Sequence, residues 1–124
     1  RSQSERKMFS VFIKRVLEHT QVSMIMILVA VVYLRRAKSV IQIQTKLWVE
    51  ERILLGALIL SSKFIDKHGI VNHCWSMCTI FNCEDVYDIQ AQFLTVLNWN
   101  LKFTELDILV CCKEFLEAHP ELGL

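Results

Sequence analysis

ERILLGALILSSKF, residues 51–64, decides how the rest of the chain must be arranged. It opens on charge, is apolar at every position from Ile53 to Leu60, and closes on two serines, Lys63 and Phe64. A helix with no polar stripe has no face to give to water, so its neighbours must surround it. The pattern predicts a central helix over about 47–66. Gly56 sits in the middle of it, where glycine costs about 1 kcal/mol relative to alanine. Close approach of another helix explains that choice, and Ala30 offers a matching small surface. Lys63 is the odd residue. A buried helix normally ends in a cap, not in a charge followed by a large hydrophobe. Either Lys63 snorkels at the rim of the core, or it faces a second protein.

Outward from this helix the breakers are sparse. The chain of 124 residues has three glycines and one proline, and Pro120 is almost at the end. An all-α fold in a single domain, 1–124, follows. The first helix is predicted over about 4–19, with Phe9, Phe12, Ile13, Val16 and Leu17 in one apolar stripe. The second covers about 22–38 and ends in the basic turn Arg35, Arg36, Lys38, where cations suit the helix dipole. A polar link, about 39–46, leads to the central helix, and Gly69 after His68 reads as its C-cap. A short helix over about 73–81 follows, with Asn72 as its N-cap candidate. Asn82 or Cys83 caps a fifth helix, about 84–98, which buries Val86, Ile89, Phe93, Val96 and Leu97. Thr104 with Asp107 makes a capping box and opens a last helix, about 105–118. The architecture is a five-helix bundle around the third helix, plus a C-terminal helix.

Composition narrows the function. Apolar residues make up 53% of the chain, above the usual range of roughly 45–50%. A small domain this apolar carries more hydrophobic surface than it can hide, which favours a protein partner. The formal net charge is +1, without the basic stripe of a nucleic-acid binder. VSMIMILVAVVYL, residues 22–34, is apolar but shorter than the roughly 20 residues a bilayer demands. Five cysteines form no even framework, so free thiols in a reducing compartment, cytoplasmic or nuclear, are expected.

Chemistry-bearing motifs are missing. There is no GxSxG, no glycine-rich phosphate loop and no HExxH. Glu50-Glu51 and Glu84-Asp85 are neighbours that point to different sides of a helix, which suits a first turn and not acid–base catalysis. His68, His73, Cys74, Cys78 and Cys83 lie close in sequence but lack the CxxC or HxxxH spacing of zinc sites. Adjacent Cys111 and Cys112 point apart and cannot easily bridge. No cofactor and no metal are expected. Trp75 reads as core. Trp99, in NWNL, reads as core or as an interface anchor.

Three blocks taken together resemble a cyclin box. LVAVVYLRR (28–36) resembles the family's second helix. ERILLGALILSSKF (51–64) resembles its central helix, and DIQAQFLTVLNWNL (88–101) its fifth helix and the turn that closes it. The variety is most similar to the fungal Pcl and phosphate-pathway cyclins and the Y-type cyclins, which carry an arginine at the place of Arg52 and an aromatic at that of Trp99. NHCWSMCTIFNCEDVYDIQAQFL (72–94) resembles their fourth and fifth helices, with Trp75 in place.

The resemblance implies a regulatory subunit without catalysis of its own. Such a subunit forms a heterodimer with a cyclin-dependent protein kinase and holds the kinase's mobile C-helix in its active position. It also implies the contact residues. Lys63 and Gln90 match a lysine and a glutamate that bond the kinase, and Leu60, Phe64, Leu94, Trp99 and Leu101 match the apolar contacts around them. This favours a facing protein for Lys63, with snorkelling at the core rim as the alternative. Three departures stand out. Gln90 replaces the glutamate, which removes a charge-assisted bond of about 1–2 kcal/mol. Arg35 replaces the acid that usually precedes the second-helix arginine. MFSVF, residues 8–12, lacks both that acid's arginine partner and the arginine of the substrate-docking motif, so that groove is not expected. The alternative is a cyclin-fold adaptor that binds another protein without activating a kinase. A cyclin-fold nucleic-acid binder is disfavoured by the flat charge balance.

Overall fold

The computed structural model describes residues 2–43, 50–66, 70 and 72–122. Among these, the elements are α1 (Gln3–Thr20), α2 (Met24–Ile43), α3 (Glu50–Ile65), α4 (Asn72–Met77), α5 (Cys83–Val96) and α6 (Glu105–Ala118), then a 3-10 turn (Pro120–Leu122). The fold is all-α, as the scarcity of breakers predicts. The predicted start of the central helix at 47 and the glycine cap after His68 lie outside the described residues.

Local chemistry fixes most of the boundaries. The Ser2 hydroxyl accepts from the Glu5 N–H at 3.1 Å and starts α1. Asn82, not Cys83, caps α5, and its side chain and that of Asp85 exchange bonds with each other's backbone N–H in a capping box. Thr104 and Asp107 do the same for α6. α4 ends at Met77, earlier than expected, because the Cys78 thiol and the Thr79 hydroxyl both turn back onto the Trp75 carbonyl. Such side-chain bonds offer the backbone an alternative to helix.

α2 corrects the sequence reading most. It runs on to Ile43, five residues past its predicted end. Arg35 and Arg36 are not its last turn, and they serve tertiary contacts instead of a helix terminus. Arg35 grips Glu114 of α6 through two bonds, 2.9 and 2.8 Å. Arg36 reaches Asp107 of α6 at 3.2 Å. Arg35, in the place of the family's acid, thus pairs with the C-terminal helix and not with the first.

α3 is the axis of the fold. Its eight consecutive residues Leu55–Ser62 are all buried, and α1, α2 and α5 pack around it. Ser61 and Ser62 are tolerated at this depth because each hydroxyl donates to a carbonyl one turn back, at 3.0 and 2.8 Å. The close approach at Gly56 comes from α5 and not from Ala30. A Cβ at Gly56 would stand 2.9 Å from Cδ2 and Cγ of Phe93. Gly56→Ala is therefore expected to destabilise by about 1–2 kcal/mol, the overpacking against Phe93 outweighing the gain in helix propensity. A lower urea midpoint at unchanged slope would register it.

The excess of apolar residues ends up where the composition suggests, on the surface. Met24 and Val31 of α2 and Leu106, Leu109 and Phe115 of α6 are exposed. Between the two helices runs an apolar groove of about 480 Å³, lined by Ile27, Leu28, Val31, Ile108, Cys111 and Phe115. Among the described residues no helix is long and apolar enough to cross a membrane.

Candidate functional site

The C-terminal end of α3 emerges from the core beside the middle of α5. Contacts spread from Arg52 to Lys63 along α3 all meet α5 within residues 90–93: Arg52 bonds Gln92, Gly56 touches Phe93, and Lys63 bonds Gln90. Eleven residues of helix advance about 16 Å, three advance about 5 Å. α5 therefore crosses α3 steeply, and its own end reaches beyond the crossing into the turn at 97–104.

Lys63 lies at the crossing. Its Nζ donates to Oε1 of Gln90 at 2.7 Å and to Oδ1 of Asn72, the first residue of α4, at 3.1 Å. One cation thus ties the end of α3 to the start of α4 and the middle of α5. Both acceptors are neutral amides, and partial burial pushes the ammonium's pKa down. A charged group here is desolvated without a carboxylate beside it among these bonds. Lys63 has three donors, and the third has no partner among the described residues.

The end of α3 and the turn after α5 carry apolar side chains with graded exposure. Phe64 is 45% exposed and Trp99 70%. Phe64 meets Phe103 edge-on, with ring centroids 5.7 Å apart. Leu94, Leu101 and Phe103 are half-buried and lean on the core. Leu60 differs from the expectation that it is a contact residue. It is only 2% exposed and belongs to the core, because a helix wrapped on every side leaves position 60 no way out. It supports the surface from beneath.

Trp99 is held out by its backbone. α5 closes in a Schellman arrangement: the Asn98 N–H donates to the Thr95 carbonyl and the Trp99 N–H to the Leu94 carbonyl, both at 2.9 Å. Asn98 and Trp99 are both left-handed, with φ of 53° and 59°. Asparagine tolerates this region, whereas a bulky residue there is uncommon. The cost falls on the residue that presents its ring to solvent.

Elsewhere the structure assigns mostly packing roles. Trp75 is fully buried, and its indole N–H donates to the Ile70 carbonyl at 3.2 Å. Cys78 and Cys111 are buried, and burial pushes both thiols' pKa up. No grouping of three potential metal ligands occurs among the described residues, and His68 lies outside them. Phe103 and Asn72 are the site residues that the sequence reading missed. Phe103 had a signal: it precedes the N-cap Thr104, a position where an apolar residue commonly packs back onto its helix.

The all-α fold around a sheathed central helix fits the cyclin box that the sequence resembles. The chain belongs to the cyclin family: the family described as cyclin, N-terminal domain, matches residues 1–102. Among curated proteins it is similar to PHO85 cyclin-1 of Saccharomyces cerevisiae, 31% identical over 86% of this chain and 39% of that protein. It is also similar to PHO85 cyclin-9 of the same yeast, 31% identical over 90% of this chain and 38% of the relative. PHO85 cyclin-2 follows at 27% identity over 89% and 37%. The chain thus spans well under half the length of these relatives. No solved structure matches it at a comparable level.

Proposed function

We propose that this chain is the kinase-binding part of a cyclin, a regulatory subunit that forms a heterodimer with a cyclin-dependent protein kinase. It packs on the kinase's C-helix through Lys63, Phe64, Gln90, Leu94, Trp99 and Leu101. The chain carries no chemistry of its own; it completes the Lys–Glu ion pair of the kinase and so switches on phosphoryl transfer. The resemblance to PHO85 cyclins supports a kinase of that kind in cytoplasm or nucleus, and phosphate signalling as its setting.

One observation carries the reading. A tryptophan in left-handed backbone stands exposed in the turn after α5, and Phe103 of that turn meets Phe64, the chain neighbour of Lys63, edge-on. Strain of this kind persists where it serves a function. The expected result of Trp99→Ala is a loss of kinase affinity of roughly 2–4 kcal/mol, the range of an interface anchor. Phe64→Ala should fall in the same range. Calorimetric titration against purified kinase reads both. Unchanged affinity in folded variants would remove the surface from consideration.

The adaptor reading has one observation in its favour, the neutral Gln90 in place of a glutamate. It predicts binding without stimulation. Phosphate transfer by the kinase, with and without saturating chain, separates the two.

A further inference from the structure

The turn after α5 carries Trp99, Leu101 and Phe103, yet it belongs to neither flanking helix. The N–H groups of its Asn98 and Trp99 are used by the Schellman closure. Its carbonyls are taken from another direction. The Tyr33 hydroxyl of α2 donates to the Leu101 carbonyl at 2.7 Å. One turn along the same face, Arg36 Nη1 donates to the Asn100 carbonyl at 3.1 Å. The second arm of Arg36 reaches Asp107 Oδ2 at 3.2 Å, and that oxygen also receives the Thr104 N–H at 2.8 Å. Two carbonyls of the connection between α5 and α6, and the first turn of α6, are thereby pinned to one face of α2. Tyr33 is fully buried, so its hydroxyl has little choice of partner. Two consecutive left-handed residues stay in place only where their surroundings over-determine them.

We infer that Tyr33 and Arg36 are positioning residues of the partner-binding surface: they hold the turn by its Leu101 and Asn100 carbonyls and so fix the presentation of Trp99. The kinase as partner rests on the reading above; the hold on the turn stands on the bonds themselves. Neither side chain needs to touch the partner. Trp99 lies one residue before the first clamped carbonyl.

The test uses Tyr33→Phe, which keeps the buried ring and deletes only the hydroxyl, and Arg36→Lys, which keeps the charge near Asp107 and loses the two-armed geometry. Two quantities are read in each: amide hydrogen exchange at residues 98–103, and kinase affinity in the native and the Trp99→Ala backgrounds. In Tyr33→Phe the Trp99 and Asn100 amides are expected to exchange about five- to tenfold faster, while α3 amides stay unchanged. Kinase affinity falls by about three- to tenfold, and that loss shrinks below about twofold once Trp99 is already alanine. Unchanged exchange across the turn in both variants overturns the inference. So does an affinity loss that persists undiminished in the Trp99→Ala background, since it would then arise from general destabilisation. If the native chain binds no kinase, the functional reading fails alone. Exchange still decides the clamp: acceleration confined to the turn supports it, and no acceleration overturns it.

Discussion

Lys63→Glu is expected to abolish kinase association at micromolar concentrations, at a cost of about 2–5 kcal/mol, while leaving the domain folded. The two halves of this expectation have separate causes. The loss of binding comes from placing a carboxylate where a partly desolvated interface is built around a cation. The survival of the fold comes from the nature of Lys63's acceptors. Gln90 and Asn72 are amides, and an amide that rotates exchanges its oxygen for an NH2 donor. The new carboxylate therefore meets donors after two side-chain flips. With a glutamate at position 90, the same substitution would set two carboxylates against each other. Co-purification of the variant with kinase, beside a thermal melt of the variant alone, checks both halves. Retained binding at native affinity would move the interface elsewhere on the molecule.

Trp75→Ala should have the largest effect on folding, about 3–5 kcal/mol. Trp75 is the largest of the fully buried side chains. Its removal leaves a cavity under α4 and deprives the Ile70 carbonyl of its indole donor. The Trp75 backbone carbonyl, which receives the Cys78 and Thr79 side chains, would lose the rigid platform that holds it. Against a total stability of order 5–15 kcal/mol, this variant would melt about 10–25 °C lower. A shift within a few degrees would mean that α4 can be lost without the core noticing.

Much of this architecture is legible in the sequence, for identifiable reasons. With so few glycines and prolines, each interruption is meaningful. Thr104 with Asp107 marks the start of α6, and the cap candidates Asn82 and Cys83 mark that of α5 to within a residue. The uniform apolarity of 53–60 announces a helix enclosed on all sides. The same uniformity does not say which of its residues reaches a surface, and Leu60, a contact by the family resemblance alone, is sealed. The end of α2 is misread because Arg35 and Arg36 match what a helix terminus prefers. Their true partners, Glu114 and Asp107, are more than seventy residues away, beyond any local pattern. The family resemblance singles out Lys63, Phe64, Gln90 and Trp99, but two features of their surroundings have no signal in the sequence. The bond from Lys63 to Asn72 depends on how α4 returns to α3. The left-handed backbone of Trp99 depends on the turn's being anchored from α2.

Gly56 and Phe93 share a single volume, and this limits how the sequence can change with time. A methyl group at 56 finds room only after the ring at 93 has given way to something smaller. Taken in that order, the first step opens a void; taken in the other, it forces two helices apart. Either route passes through a less stable ancestor. The present pair can thus persist through history because leaving it requires two coordinated changes, even if a different pair would pack as well.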